Sequence, residues 1–315
     1  LRWEVPSEAI NIKWFGYEEG GEFQPFFSPT PSLYNWKNDG SESRAFQIHK
    51  FGTDAQVKQS ISLWWREGIT YPRVSSIGFG PRYMPRGHIF SGDSISIFPI
   101  EAEFVKPLLA YLCSTWAEDL SYAFGRYRKI EARAIANLPM PSLSHDQRSS
   151  LTAAANVGIS IFLEHELHDE VSPVFWTPRL PKLGEHLLGQ KSRCLDSQIN
   201  SLYSELDSTV AGILFGEASP PVRVAKPRSV LVQRVITDDW PDKVSSRELF
   251  SWFVGVAFNR WEVGSIHSPA PLTSEGIFER GLPLIPPGML SEKANEPGIL
   301  VDEEGSALDI IGRIR

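Results

Sequence analysis

Four arginines, Arg66, Arg73, Arg82 and Arg86, alternate with six aromatic residues, Trp64, Trp65, Tyr71, Phe79, Tyr83 and Phe90, within residues 64–90. A guanidinium grips a phosphate or a guanine edge through two parallel hydrogen bonds, and planar rings stack on bases or pack against sugars. Clustered together, these groups have the chemistry of a nucleic-acid-reading surface. Glu67 is the one acid among them, and glycines 68, 78, 80 and 87 with prolines 72, 81 and 85 divide the stretch into short extended pieces joined by tight turns. The same composition also fits a twisted sheet whose rings are core and whose arginines face water, and the pattern alone leaves both readings open.

The charge distribution bears on that choice. The chain of 315 residues carries a net charge of -7, which by itself disfavours a polyanionic partner. Residues 1–143 are balanced, with 15 basic and 15 acidic side chains, whereas 144–315 hold 16 basic against 23 acidic and account for the whole deficit. Within 44–90 there are seven basic residues and two acids. A second basic knot, Arg126, Arg128, Lys129 and Arg133, contains only Glu131 as an acid. The first half has the charge to face phosphates while the second half stays acidic.

Other candidate chemistry is weaker. His165 and His168 lie three apart in Glu164-His-Glu-Leu-His-Asp-Glu170, but a zinc-protease helix needs its second histidine at the position held by Asp169. A solvated helix end explains the cluster better than a metal site. A site around His145, His165 and His168 would make the chain an enzyme of unrecognised type. Gly78-Phe-Gly80 lacks the third glycine and the strand-to-helix setting of a dinucleotide loop and reads as turn chemistry. There is no Gly-x-Ser-x-Gly elbow, no Walker loop, no Cys-x-x-Cys and no Asp/Glu-x-Lys triplet.

The elements that must carry these residues change character along the chain. Residues 33–40 predict a strand running into an Asp-Gly hairpin turn, 54–62 a short helix, and 94–98 an alternating strand. Residues 101–120 predict a helix with Phe104, Leu108, Leu112 and Trp116 four apart and Pro107 near its start. Residues 124–130 read as a basic turn and strand. Ser144 and Gln147 form a capping box that opens a helix to about 169, and 193–215 predict a second helix with Leu195, Ile199, Leu202, Leu206, Val210 and Ile213 along one seam, stopped by Gly216. Further on, 230–235 predict a strand, Ser245 and Glu248 cap a helix over 247–258, 268–297 form a proline-rich loop, and 298–305 form a strand and turn. The expected fold class is α+β: a β-rich target recognition domain over 1–143, a long-helix spacer over 144–217, and a small mixed C-terminal region over 218–315. The longest apolar run, 249–258, is about half the ~20 residues a membrane span needs. The two cysteines, Cys113 and Cys194, fit buried thiols in a reducing cytoplasm. A chain that starts at Leu1 and closes on a helix just begun at 309–315 is expected to be part of a longer polypeptide.

Several segments in this order resemble one family. Trp14-Phe with Glu19-Gly-Gly-Glu-Phe, Tyr34-Asn-Trp-Lys-Asn-Asp-Gly, Gly68-Ile-Thr-Tyr and Arg82-Tyr-Met-Pro-Arg-Gly-His-Ile-Phe are similar to the C-terminal part of large adenine-specific DNA methyltransferases. Those are the PglX-like enzymes of the BREX phage-defence system and the fused type II restriction–modification enzymes. Leu108–Ser114, Gly125-Arg-Tyr and Ile135-Ala-Asn-Leu-Pro-Met-Pro resemble the end of a target recognition domain in type I specificity subunits. Phe253-Val-Gly-Val-Ala-Phe-Asn-Arg-Trp-Glu, Pro286-Pro-Gly-Met-Leu and Gly298-Ile-Leu-Val-Asp-Glu-Glu-Gly also match the PglX-like tail. The family's glycine-rich S-adenosylmethionine loop and its Asn-Pro-Pro-Tyr motif are not in this sequence. The resemblance therefore implies the recognition half of such an enzyme. The cofactor, S-adenosylmethionine, belongs with a methyltransferase domain outside this chain, and duplex DNA is the expected partner. Arg66, Arg82, Arg86, Arg126, Arg128 and Lys129 are the expected DNA contacts, with Thr70 and Tyr71 nearer the bases. A rival expectation is an interaction module that docks other defence-system subunits through the helical seam and the proline-rich tail.

Overall fold

The computed structural model describes residues 11–21, 23–29, 32–55, 60–75, 77–124, 129–140, 142–170, 172–178, 188–216, 249–256, 260–261, 272–273 and 276–277, with the side chains of 188–196 left aside. It is a mixed α+β structure with two small sheets. Strand β1 (Trp14–Glu18) lies between β2 (Leu33–Asn35), antiparallel to it, and β5 (His88–Phe90), parallel to it. The second sheet is antiparallel throughout, with β3 (Gly68–Pro72) between β4 (Arg82–Met84) and β6 (Ser94–Ile97). The expected strand over 94–98 is thus present. The expected hairpin at Asp39-Gly40 is not. Asn38, Asp39 and Gly40 all take positive φ, and the chain leaves β2 through this left-handed turn into helix α1 (Lys37–Phe51). Gly40 is required there, because a Cβ would sit 2.3 Å from the Trp36 ring.

Strand alternation sorts the second sheet into two unlike faces. Ile69, Tyr71, Tyr83, Ile95 and Ile97 point into the main core. Thr70, Arg82, Met84, Ser94 and Ser96 point the other way, into a polar layer closed by the chain leaving β1. In that layer Arg82 Nη2 donates to the Gly20 carbonyl, and Thr70 and Ser94 share a hydroxyl hydrogen bond. Glu18 and His88, both buried, meet at 2.8 Å across the β1–β5 pair. The first sheet has its own small core, where Trp36, Trp64 and Ile89 are buried and the two indoles meet edge to face at 4.7 Å.

Helix prediction over 101–120 needs one revision. A 3-10 turn over Ala102–Phe104 leads into α2 (Val105–Cys113), the chain breaks at Ser114, and α3 (Thr115–Phe124) follows. Ser114 adopts an extended conformation (φ -65°, ψ 152°), and its hydroxyl accepts from Ala117 N–H at 3.2 Å, so one serine ends the first helix and caps the second. Residues 61–63 form a 3-10 turn in place of the expected helix end. After α4 (Ala132–Ala136), the capping box opens α5 (His145–Glu166): Ser144 Oγ accepts from Gln147 N–H at 3.2 Å, and Gln147 Oε1 accepts from Ser144 N–H at 2.8 Å. Helix α6 (Leu188–Phe215) stops at Gly216, whose φ is +61°. Ile199, Leu202, Leu206 and Val210 of the predicted seam are buried, Ile213 is half-buried, and Leu195 lies among the side chains left aside.

The two long helices, α2 and the apolar face of the second sheet contribute to one continuous core. Helix α5 brings Leu151, Ala155, Ile159 and Phe162 to it at steps of four, four and three. Helix α6 is also tied to α3, because Asp207 Oδ1 accepts the Thr115 N–H at 2.7 Å and its carbonyl accepts the Trp116 indole N–H at 3.1 Å. Burial raises the Asp207 pKa above the ordinary carboxylate value, against the opposing hydrogen bond from Thr115. A raised carboxylate pKa means that the native state holds more protons than the unfolded one in the window just above the ordinary value, so stability falls as pH rises through it. Asp207→Asn keeps an acceptor for Thr115 and removes the charge, and is expected to flatten that mildly acidic slope in urea unfolding curves taken across pH. A slope that persists in the variant would place its origin on another carboxylate.

The strand over 230–235, the Ser245–Glu248 cap, the turn over 298–305 and most of the loop over 268–297 lie outside the described residues. Residues 249–256 are helical, within the predicted 247–258. Trp252 and Trp261 form a further small core with Phe175. Among the described residues, no helix is long and apolar enough to cross a membrane.

Candidate nucleic-acid interface

The aromatic–basic stretch turns out to be mostly interior. Trp64, Tyr71, Phe79 and Tyr83 are buried, and Tyr71 and Phe79 pack edge to face at 4.8 Å. Of the expected DNA contacts, Thr70, Tyr71 and Arg82 are buried at 0%, 0% and 3% exposure, so none of them presents a surface to a duplex in this structure. The physical reason is the pleat. Tyr71 falls on the core face of β3, and Thr70 and Arg82 fall on the face that the chain from β1 covers. Burial lowers the Arg82 pKa, and the nearby Glu18 carboxylate opposes that shift.

Arg66, Arg86 and Lys129 do reach solvent. Arg66 precedes β3, lies over the Phe98 ring at 5.5 Å and donates to the Pro99 carbonyl at 3.3 Å. Arg86 follows β4, which pairs with β3 so that Met84 faces Gly68, and this register brings Arg86 to the same end of the sheet. Its partner is Glu67, at 2.9 Å, and the Tyr83 hydroxyl donates to the same carboxylate at 3.3 Å. The hydrogen bond to Glu67 raises the Arg86 pKa, so the guanidinium stays charged throughout.

The second basic knot is drawn to the opposite end of β3. Val74 and Lys129 form an antiparallel bridge, and Ile130 N–H donates to the Arg73 carbonyl at 3.0 Å. Glu131 there holds Lys129 at 2.8 Å and Arg73 at 3.3 Å, and hydrogen bonding, first from Lys129, lowers its pKa. Arg126 and Arg128 lie outside the described residues. A strand of five residues at ~3.3 Å each separates the two basic ends by roughly 17 Å. Sequence spacing did not single out Arg73 as a contact. Its position at a strand end, opposite a second basic segment, is visible only in the pairing.

The other candidates resolve as structure. Phe79 N–H donates to the buried Glu118 carboxylate at 3.1 Å, and a Cβ on Gly78 would lie 2.3 Å from the Phe23 ring, so Gly78-Phe-Gly80 is a packed turn. His168 lies beyond the end of α5 and donates from Nδ1 to the Thr177 carbonyl at 2.7 Å. Among the described residues, no group of three or more His, Cys, Asp or Glu is placed to hold a metal ion.

Part of the chain is similar to known proteins. No protein-family model matches the chain. A stretch of 129 residues, 38% of this chain, is 30% identical to the adenine-specific methyltransferase BrxX of Escherichia coli O9:H4 (strain HS), of which it spans 10%. A stretch of 139 residues, 44% of this chain, is 27% identical to the adenine-specific methyltransferase PglX of Lacticaseibacillus casei (strain Zhang), of which it spans 12%. The matched stretch thus corresponds to about a tenth of the length of these relatives. Among solved structures, the type IIL restriction–modification enzyme MmeI in complex with DNA aligns over 71% of this chain and 31% of its own, at a TM-score of 0.41 and 15% identity. Part of this chain is a region related to the PglX-like adenine-specific methyltransferases.

Proposed function

We propose that this chain recognises a short duplex DNA site on behalf of an adenine-N6 methyltransferase of a phage-defence or restriction–modification system. The relationship to BrxX and PglX carries the reading. An enzyme that methylates one adenine must take it out of the stack and must also choose where to do so, and the two tasks need separate surfaces. The sequence lacks the S-adenosylmethionine loop and the Asn-Pro-Pro-Tyr motif, so methyl transfer and its cofactor are assigned to another domain, and site selection to this one. The exposed basic groups support the reading. Arg66 and Arg86 at one end of β3 and Arg73 and Lys129 at the other make two positive points on the balanced half of an otherwise acidic chain. Such points position a duplex by its phosphates, while base edges are read by other groups.

The test is binding of the chain to a fluorescein-labelled duplex across a salt series. Each phosphate contact removed is expected to reduce the slope of log affinity against log salt by about 0.9. The combined variant Arg66→Ala, Arg86→Ala, Lys129→Ala is therefore expected to flatten the slope by between two and three contacts' worth, with the fold unchanged by circular dichroism. Absence of duplex binding by the parent chain would overturn the proposal, and an unchanged slope in the variant would overturn this choice of contacts.

A further inference from the structure

Helix α1 is anchored at its base and bare at its tip. Its first turns are tied to the first sheet. Glu42 accepts from Lys13 at 3.3 Å and from Asn35 Nδ2 at 2.6 Å, Ser43 Oγ donates to the Asn35 carbonyl at 3.1 Å, and Arg44 lies over the Trp36 ring at 5.5 Å. From residue 45 to 51 no side chain is buried. Phe46, Ile48 and Phe51 are 58%, 52% and 54% exposed, and Lys50 lies over the two phenyl rings at 5.5 and 5.1 Å. A helix this short is marginal in water without tertiary packing, and large apolar side chains held in the open mark a surface that is covered in use.

Charge selects the occupant. Arg44 is paired with Asp39 at 2.8 Å, and beyond it, from 45 to 53, the chain carries His49 and Lys50 and no acid. A basic helix tip with exposed apolar residues matches the major groove, which admits an α-helix between two phosphate rows and offers thymine methyl groups as apolar contacts. We infer that α1 is a groove-reading helix, entering the major groove of duplex DNA with residues 45–51. Lys50 then faces a phosphate, and Phe46, one turn before it on the same side of the helix, meets base edges. This rests on the reading of the chain as a DNA recognition unit and adds the element that does the reading.

The experiment uses the full chain and a fluorescein-labelled duplex pool with a randomised centre. Lys50→Ala is expected to reduce the salt slope by about one contact. Phe46→Ser is expected to keep the slope and to broaden the set of sequences retained after selection. Both side chains are exposed, so circular dichroism is expected to match the parent. If the parent binds and selects sequences but both variants behave as it does, the inference is overturned and the reading beneath it stands. If the parent binds no duplex at any salt, both fall. If Phe46→Ser instead dissolves a dimer seen by sedimentation and leaves DNA selection intact, α1 is a contact between copies of the chain, and the inference is overturned.

Discussion

Arg82→Ala is expected to lower the stability of the fold by about 3–5 kcal/mol and to leave the salt dependence of DNA binding unchanged. The arginine is 3% exposed, its guanidinium donates to the Gly20 carbonyl, and it sits in the field of the buried Glu18 carboxylate, which in turn holds His88 at 2.8 Å. Truncation would leave the Gly20 carbonyl without that donor and would remove a cation from beside a carboxylate that water cannot reach. Removing one member of a buried charge group costs more than the group contributes, because the remaining charge stays desolvated. Arg86→Ala is the control. That guanidinium is 63% exposed by side chain and pairs with a single carboxylate, so its loss is expected to change stability by less than about 1 kcal/mol while flattening the salt slope. Urea unfolding of the two variants, with duplex binding measured on the folded fraction at low temperature, separates the roles. A stable Arg82→Ala protein with an altered salt slope would return Arg82 to the DNA surface.

Phe26→Ala is expected to cost about 3–5 kcal/mol, the range for emptying a buried aromatic position. Phe26 is fully buried at φ +65° and joins three parts of the molecule. Its backbone pairs with β4, accepting from Tyr83 N–H at 2.9 Å and donating to the Pro81 carbonyl at 2.8 Å. Its ring packs on Phe162 of α5 and Tyr203 of α6, at 6.1 and 6.0 Å between centroids. The ring reaches α5 only because residue 158 is glycine. A Cβ there would come within 2.3 Å of it, against an aromatic ring fixed on all sides. The cavity left by alanine cannot close, since the sheet is held by its ladder and the helices by the rest of the core. Chemical denaturation of Phe26→Ala and its parent measures the loss. A change below about 1 kcal/mol would mean that the second sheet and the long helices are not coupled through this ring.

Much of the helical half was legible from residue spacing. The Ser144–Gln147 box, the seam through Ile199, Leu202, Leu206 and Val210, and the Gly216 stop all act over one or two turns, where local geometry decides. Asp39-Gly40 shows the limit of the same reasoning. The pair does supply a left-handed turn, but whether a strand or a helix follows depends on contacts with Trp36 and Glu42 that the dipeptide does not encode. The break at Ser114 was missed because the residues on either side keep a helical period, and the serine that separates them serves both helices.

By itself the sequence determined that residues 64–90 form turn-linked strands and hold the positive charge of an acidic chain, and it carried the resemblance to adenine-specific methyltransferases. Tertiary structure alone decided which of those side chains face water. A pleat sends neighbours to opposite faces, and either face becomes surface or interior according to what packs on it. The core takes Tyr71 and the chain leaving β1 covers Arg82 on the face it shares with Thr70, whereas Arg66 and Arg86, at the other strand end, are exposed among the described residues. The pairing of Val74 with Lys129, from segments more than fifty residues apart, set the second basic point opposite the first. Burial is a property of partners distant in the chain, so neither placement could be read from spacing.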